Sequence, residues 1–122
     1  MVESPKIRPP MVAGMFYPQK KISLEREIAV YLENSPELKL NGTIVGMIVP
    51  HAGYMYSGGV ATRAFRQIMG KDINTVAIIS PSHREYFTEI SIYDGYAYST
   101  PFGALPVEKN LAHQMAEYSP QI

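Results

Sequence analysis

Two imidazoles stand at matching points along this chain. His51 follows the run Ile44-Val45-Gly46-Met47-Ile48-Val49 and Pro50, and His83 follows Thr75-Val76-Ala77-Ile78-Ile79 and then Ser80-Pro81-Ser82. Neutral imidazole is the commonest protein ligand for zinc, iron and copper. Two imidazoles are only part of a site, because catalytic zinc usually takes three protein ligands and non-haem iron two histidines and a carboxylate. The competing reading is that each histidine caps a loop by bonding to backbone. The third histidine, His113, sits between Ala112 and Gln114 in the last helical segment and reads as exposed. Glu85 and Asp94 are loop carboxylates whose spacing singles out neither.

A second chemistry is open to the loop after His51. Ser57, Gly58 and Gly59 precede a helical pattern, and backbone N–H groups at a helix start attract carboxylate or phosphate. The P-loop ending Lys-Ser/Thr is missing. An equally open reading is that the glycines only let a helix pack closely on a strand. Tyr54 and Tyr56 flank this loop; at most one is expected to face a ligand, Tyr54 before Tyr56, and a packing role for it is the plainer reading. Ser57, Gly58 and Ser82 complete the candidate ligand-binding set. Ser82 and His83 are sequence neighbours, which does not make a nucleophile and its base, so serine hydrolysis is not expected.

These residues need elements to hold them. Both apolar runs suit strands covered on two faces, and each is stopped by a proline that cannot donate into a ladder. One helix-length segment separates them. The unit therefore reads as strand, helix, strand, with parallel strands and both histidines at the same sheet edge, where open α/β sheets place ligands. Around it the residues predict an irregular arm through the Pro-rich segment 8–18. A surface helix should follow, from a Ser23 cap to about Asn34, with Leu24, Ile28, Tyr31 and Leu32 inward. The middle helix should bury Ala61, Ala64, Phe65 and Ile68 and stop at Gly70. Thr88 to Tyr93 alternates as a half-buried strand, and a last helix from about Val107 to Tyr118 should turn Leu111, Met115 and Tyr118 inward. The fold class is α/β: a mostly parallel sheet flanked by helices.

Composition narrows the function classes. The chain has 122 residues, 46% hydrophobic, with 11 basic and 11 acidic side chains, which suits one domain and gives no electrostatic footprint for nucleic acid. It has no cysteine, which excludes a disulfide framework and thiolate ligands from these residues. No run reaches membrane-spanning length and the first residues are too polar for a signal peptide, so a cytoplasmic protein is expected.

The ordered set of motifs resembles the Memo family, whose fold is similar to class III extradiol dioxygenases of the LigB type. Arg8-Pro9-Pro10 with Ala13-Gly14-Met15-Phe16-Tyr17-Pro18 is similar to the family's opening. Val49-Pro50-His51-Ala52-Gly53-Tyr54 through Tyr56-Ser57-Gly58 is similar to its most distinctive stretch, and Ser80-Pro81-Ser82-His83 and Thr100-Pro101-Phe102-Gly103 follow in order. The resemblance implies that His51 and His83 are metal ligands, iron or copper before zinc, and that Phe16 and Tyr54 line the same pocket. It implies a third histidine in an Asp-x-x-His motif in the second half of the family's length, which no residue here matches. Residues 1–122 are thus expected to be the N-terminal part of a single LigB-like domain. The expected partners are the missing C-terminal half or a second copy of the chain. Two functions stand: a metal-dependent redox or oxygenase-like protein, and a non-enzymatic module that binds a phosphorylated, carboxylate or other small-molecule ligand in the same pocket.

Overall fold

The computed structural model describes residues 5–118, which fall into two units. One unit comprises residues 11–72 and the other residues up to 10 together with 73 onward.

The 11–72 unit is built on two helices. Val12 to Tyr17 makes a tight reversal, in which Gly14 at φ +82° donates to the Tyr17 carbonyl at 2.7 Å, and the Met15 and Phe16 N–H groups bond back to Val12. Helix α1 covers Lys21–Glu33. It starts two residues before the predicted Ser23 cap, with Lys20 in extended conformation and no side-chain cap. Helix α2 covers Tyr54–Phe65 and passes into a short 3-10 turn, Arg66–Ile68. The helix therefore begins at Tyr54, and the predicted glycine-rich loop forms its first turns. Gly70 at φ +71° ends this run, as expected of a glycine just past a helix.

The stripe that α2 buries is not the predicted one. Ser57, Gly58 and Thr62 are its buried residues, whereas Phe65 is exposed. The reason is the partner. Helix α1 presents the wide ring of Tyr31, and only a row of small side chains lets the two helices approach. A Cβ at Gly58 would stand 2.7 Å from Tyr31 Cε2, which real contacts do not reach. Two hydroxyls complete the seam: buried Ser35 Oγ lies 2.8 Å from the Tyr31 carbonyl and 3.3 Å from Thr62 Oγ1, and Thr62 donates to the Gly58 carbonyl at 2.9 Å. Gln67 ties in the chain after α1, donating to the Pro36 carbonyl at 2.9 Å and accepting from the Leu38 N–H at 2.8 Å.

The other unit carries a three-stranded mixed sheet in the order β1–β2–β3. Strand β1 (Ile7–Arg8) runs parallel to β2 (Ala97–Thr100), with Ile7 opposite Ala97. β2 pairs antiparallel with β3 (Gly103–Pro106), with Thr100 opposite Gly103. The predicted loop around Thr100-Pro101-Phe102-Gly103 is the turn of this hairpin, closed by Gly103 at φ +125° and a 2.8 Å bond from Thr100 Oγ1 to the Gly103 carbonyl. On the sheet, Arg8 lies 6.0 Å from the rings of both Tyr93 and Tyr98, which are 4.9 Å apart. The Tyr93 ring leaves no room for a Cβ at Gly95. Helix α3 covers Lys109–Tyr118 as predicted, but Leu111, Met115 and Tyr118 are exposed and line an open groove of about 300 Å³.

The predicted strand–helix–strand unit is not formed among the described residues. Residues 44–49 and 75–79 have no ladder partner among the described residues and belong to different units. Residues 88–93 are likewise not a strand. Val45 and Ile48 are fully exposed, and Ile79 is 95% exposed. The class is α/β as expected, but the sheet is small and mixed rather than a parallel sheet flanked by helices. The physical reason is that β-branched composition raises strand propensity without supplying hydrogen bonds, which come only from a neighbouring strand. Among the described residues, Leu24 and Ala97 are the buried apolar side chains, so neither unit has a deep core.

Candidate functional site around the start of helix α2

The residues singled out in the sequence divide between the two units. Phe16, His51, Tyr54, Ser57 and Gly58 belong to the 11–72 unit, and Ser82 and His83 to the other.

Within the first, two motifs far apart in sequence are joined directly. The Tyr54 N–H donates to the Phe16 carbonyl at 2.7 Å, and the rings of Tyr17 and Tyr54 lie 5.6 Å apart at 44°. Gly53 lies against Phe16 at ordinary packing distance, since a Cβ there would meet the Phe16 carbonyl oxygen at 3.4 Å. Ser57 Oγ reaches back 3.0 Å to the Ala52 carbonyl. The peptide that follows exposed His51 is thus held at two points, through Ala52 and through Tyr54. Burial pushes the Tyr54 phenol above its usual range, with Tyr17 and the Glu27 carboxylate acting in the same direction.

Tyr31 underlies this arrangement. Its hydroxyl lies 3.0 Å from the Tyr54 carbonyl and 3.1 Å from Glu27 Oε1. Desolvation raises the Tyr31 phenol, and the hydrogen bond and charge of Glu27 raise it further. Sequence reasoning placed Tyr31 only in the apolar stripe of α1. The signal that could have revealed more is Glu27 four residues before it, a spacing that puts both on one face.

The α2 start is less open to an anion than the sequence suggested. The Tyr54 N–H goes to Phe16, and the Tyr56 and Ser57 N–H groups bond to the Gly53 carbonyl at 2.9 and 3.1 Å. The glycine pair serves close packing, as one of the two readings held, although the partner is a helix and not a strand.

In the other unit, His83 is exposed and Ser82 is engaged in a local turn, its Oγ donating to the Glu85 carbonyl at 2.6 Å and accepting from the Glu85 N–H. His113 pairs with Asp94 at 3.1 Å, both exposed, and this contact holds the Asp94 carboxyl below its usual range. Among the described residues no group of three or more His, Cys, Asp or Glu side chains gathers where it could hold a metal ion. Imidazole chemistry suits a transition metal, but the donor set in these residues is not complete. No described helix is long and apolar enough to cross a membrane.

Comparison with known proteins is consistent along the chain. The family model described as "Memo-like protein" matches residues 8–122. A MEMO1 family protein of Thermoplasma acidophilum is 36% identical over 108 residues, covering 88% of this chain and 40% of the relative. Those of Aquifex aeolicus and Methanothermobacter thermautotrophicus are 32% and 35% identical, each covering 93% of this chain and 41% and 43% of the relative. The chain therefore spans about two-fifths of the length of these relatives. No solved structure matches it.

Proposed function

From the premise that this chain belongs to the Memo-like family, we propose that it contributes His51 and His83 to a transition-metal site, iron or copper, whose remaining ligand comes from outside these residues. The observation that carries this reading is the peptide after His51, pinned by Ser57 at Ala52 and by Phe16 at Tyr54. A ligand histidine gains affinity when its backbone is held before the metal arrives. Phe16 and Tyr54 form the apolar and aromatic wall beside it, and Ser57 and Gly58 shape the helix start behind that wall. Ser82 positions the turn that carries His83. When bound, the metal would supply redox or oxygen chemistry; the residues described here would hold it and limit water access.

The third ligand is assigned to polypeptide supplying the rest of the family's length, because this chain spans about two-fifths of its relatives. That polypeptide would also complete the larger parallel sheet, pairing with the strand-like segments 44–49 and 75–79. A cytoplasmic setting fits the absence of cysteine. Capture of a phosphorylated ligand at the α2 start has less support, since three N–H groups of that turn are already bonded within the chain.

The test is metal analysis of the purified natural gene product and of its His51→Ala and His83→Ala variants. The expected result is iron or copper in the parent and a large loss in both variants. Unchanged metal content in both would sink the proposal.

A further inference from the structure

We infer that Glu27 and Tyr31 form a positioning pair that sets the first turn of α2 and, through it, the Tyr54 ring; its functional meaning rests on the reading of Tyr54 as a wall of the metal pocket. Three independent features of the 11–72 unit converge on it. The Tyr31 hydroxyl lies 3.0 Å from the Tyr54 carbonyl, across 23 residues of sequence. The ring that carries this hydroxyl occupies a notch made by Gly58 and Gly59, with the imagined Gly58 Cβ 2.7 Å from Tyr31 Cε2 and the Gly59 one 3.7 Å from Cδ1. Glu27 Oε1 lies 3.1 Å from the same hydroxyl.

The hydroxyl has one proton and two acceptors within reach. Given to the Tyr54 carbonyl, it ties α1 to the first residue of α2. Given to Glu27, it releases that tie. The pair is thus a two-position latch on the residue whose N–H is already held by Phe16. Tyr54 is clamped on both sides of its backbone, by Phe16 at the nitrogen and Tyr31 at the carbonyl. Such a clamp fixes where the ring starts, and the Tyr17 ring 5.6 Å away limits where it can go. Tyr31 itself is not proposed to touch metal or ligand.

The experiment uses amide hydrogen exchange and tyrosine ring NMR on the natural gene product, with Tyr31→Phe and Glu27→Gln. Tyr31→Phe keeps the ring in its notch and removes only the hydroxyl. It should speed exchange of the Tyr54 N–H about fivefold, the worth of one ordinary hydrogen bond, and shift the Tyr54 ring signals. The Asn34 and Ser35 N–H groups, bonded within the end of α1 to Val30 and Leu32, should exchange as in the parent. A merely structural role would speed all of these together. Glu27→Gln weakens the competing acceptor, so it should slow Tyr54 exchange, and unslowed exchange in this variant counts against the latch even should Tyr31→Phe fail to fold. Uniform acceleration, or no change at Tyr54 in Tyr31→Phe, overturns the inference, as does unslowed Tyr54 exchange in Glu27→Gln. Cu²⁺ added to the chelator-stripped protein, on which all these spectra are taken, separates this result from the metal reading. If it leaves the Tyr54 signals unbroadened in the parent, the pocket reading fails, while the exchange data still decide the positioning pair.

Discussion

The Gly58 notch supports a quantitative prediction with its own control. Gly58 and Gly59 are adjacent interior positions of α2, so Gly→Ala at either should gain about 1 kcal/mol from helix propensity. They differ in what a methyl meets. At Gly59 the nearest atoms of Tyr31 are at 3.7 and 3.9 Å, ordinary contact. At Gly58 three ring atoms lie at 2.7, 3.2 and 3.2 Å. The ring can escape only by leaving the Tyr54 carbonyl and Glu27, and overpacking of this kind costs about 1–3 kcal/mol. Gly59→Ala should therefore stabilise the 11–72 unit by about 1 kcal/mol, while Gly58→Ala should be neutral to about 2 kcal/mol destabilising. The assay is urea-dependent native-state hydrogen exchange of α2 amides, which reads this unit separately from the other. Adding Tyr31→Ala to Gly58→Ala removes the clash, and the double-mutant cycle should return a coupling of about 1–3 kcal/mol. Equal stability of the two alanine variants, with no coupling to Tyr31, would refute the packing argument.

Thr62→Val leaves buried Ser35 with one acceptor fewer and removes the bond to the Gly58 carbonyl, so it should destabilise the same unit by about 1–2 kcal/mol in the same exchange assay. The Asp94 carboxyl is held below its unfolded value, chiefly by its hydrogen bond to His113. Its contribution to stability is present above the unfolded pKa of about 4 and is lost as pH falls through the depressed folded value. NMR titration should show the Asp94 midpoint rising toward the ordinary carboxylate range in His113→Gln; a midpoint unmoved by that change would refute the assignment. Val45→Lys and Ile48→Lys place charges on an exposed strand-like segment that has no strand partner among the described residues, and both should reduce self-association of the purified 122-residue chain, read by light scattering. Undiminished association in both would show that this segment is not the contact.

Local signals were legible in sequence wherever the deciding physics was local. The stripe Leu24, Ile28 and Leu32 located α1, Gly70 its neighbour's stop, and the α3 range was read to within about two residues. The Thr100–Gly103 segment was recognised as a motif, but its hairpin was not, because the pairing of Tyr98 with Leu105 depends on a register that neither strand carries alone. The candidate site was legible in residue types and only partly in arrangement. The family resemblance implied that Phe16 and Tyr54 line one pocket; what the structure gives is a backbone bond between them at 2.7 Å, and the part played by Tyr31 was missed. Its partner Gly58 lies 27 positions away, and no periodicity reports such a contact.

By itself the sequence determined family membership, the places where helices can form, and the residue types available to bind a metal. Those follow from side-chain chemistry and short-range spacing. Only the tertiary structure decided which face α2 buries, because that face is chosen by the Tyr31 ring and not by hydrophobicity. It also decided that 44–49 and 75–79 remain unpaired among the described residues, since a strand exists only where another strand satisfies its backbone.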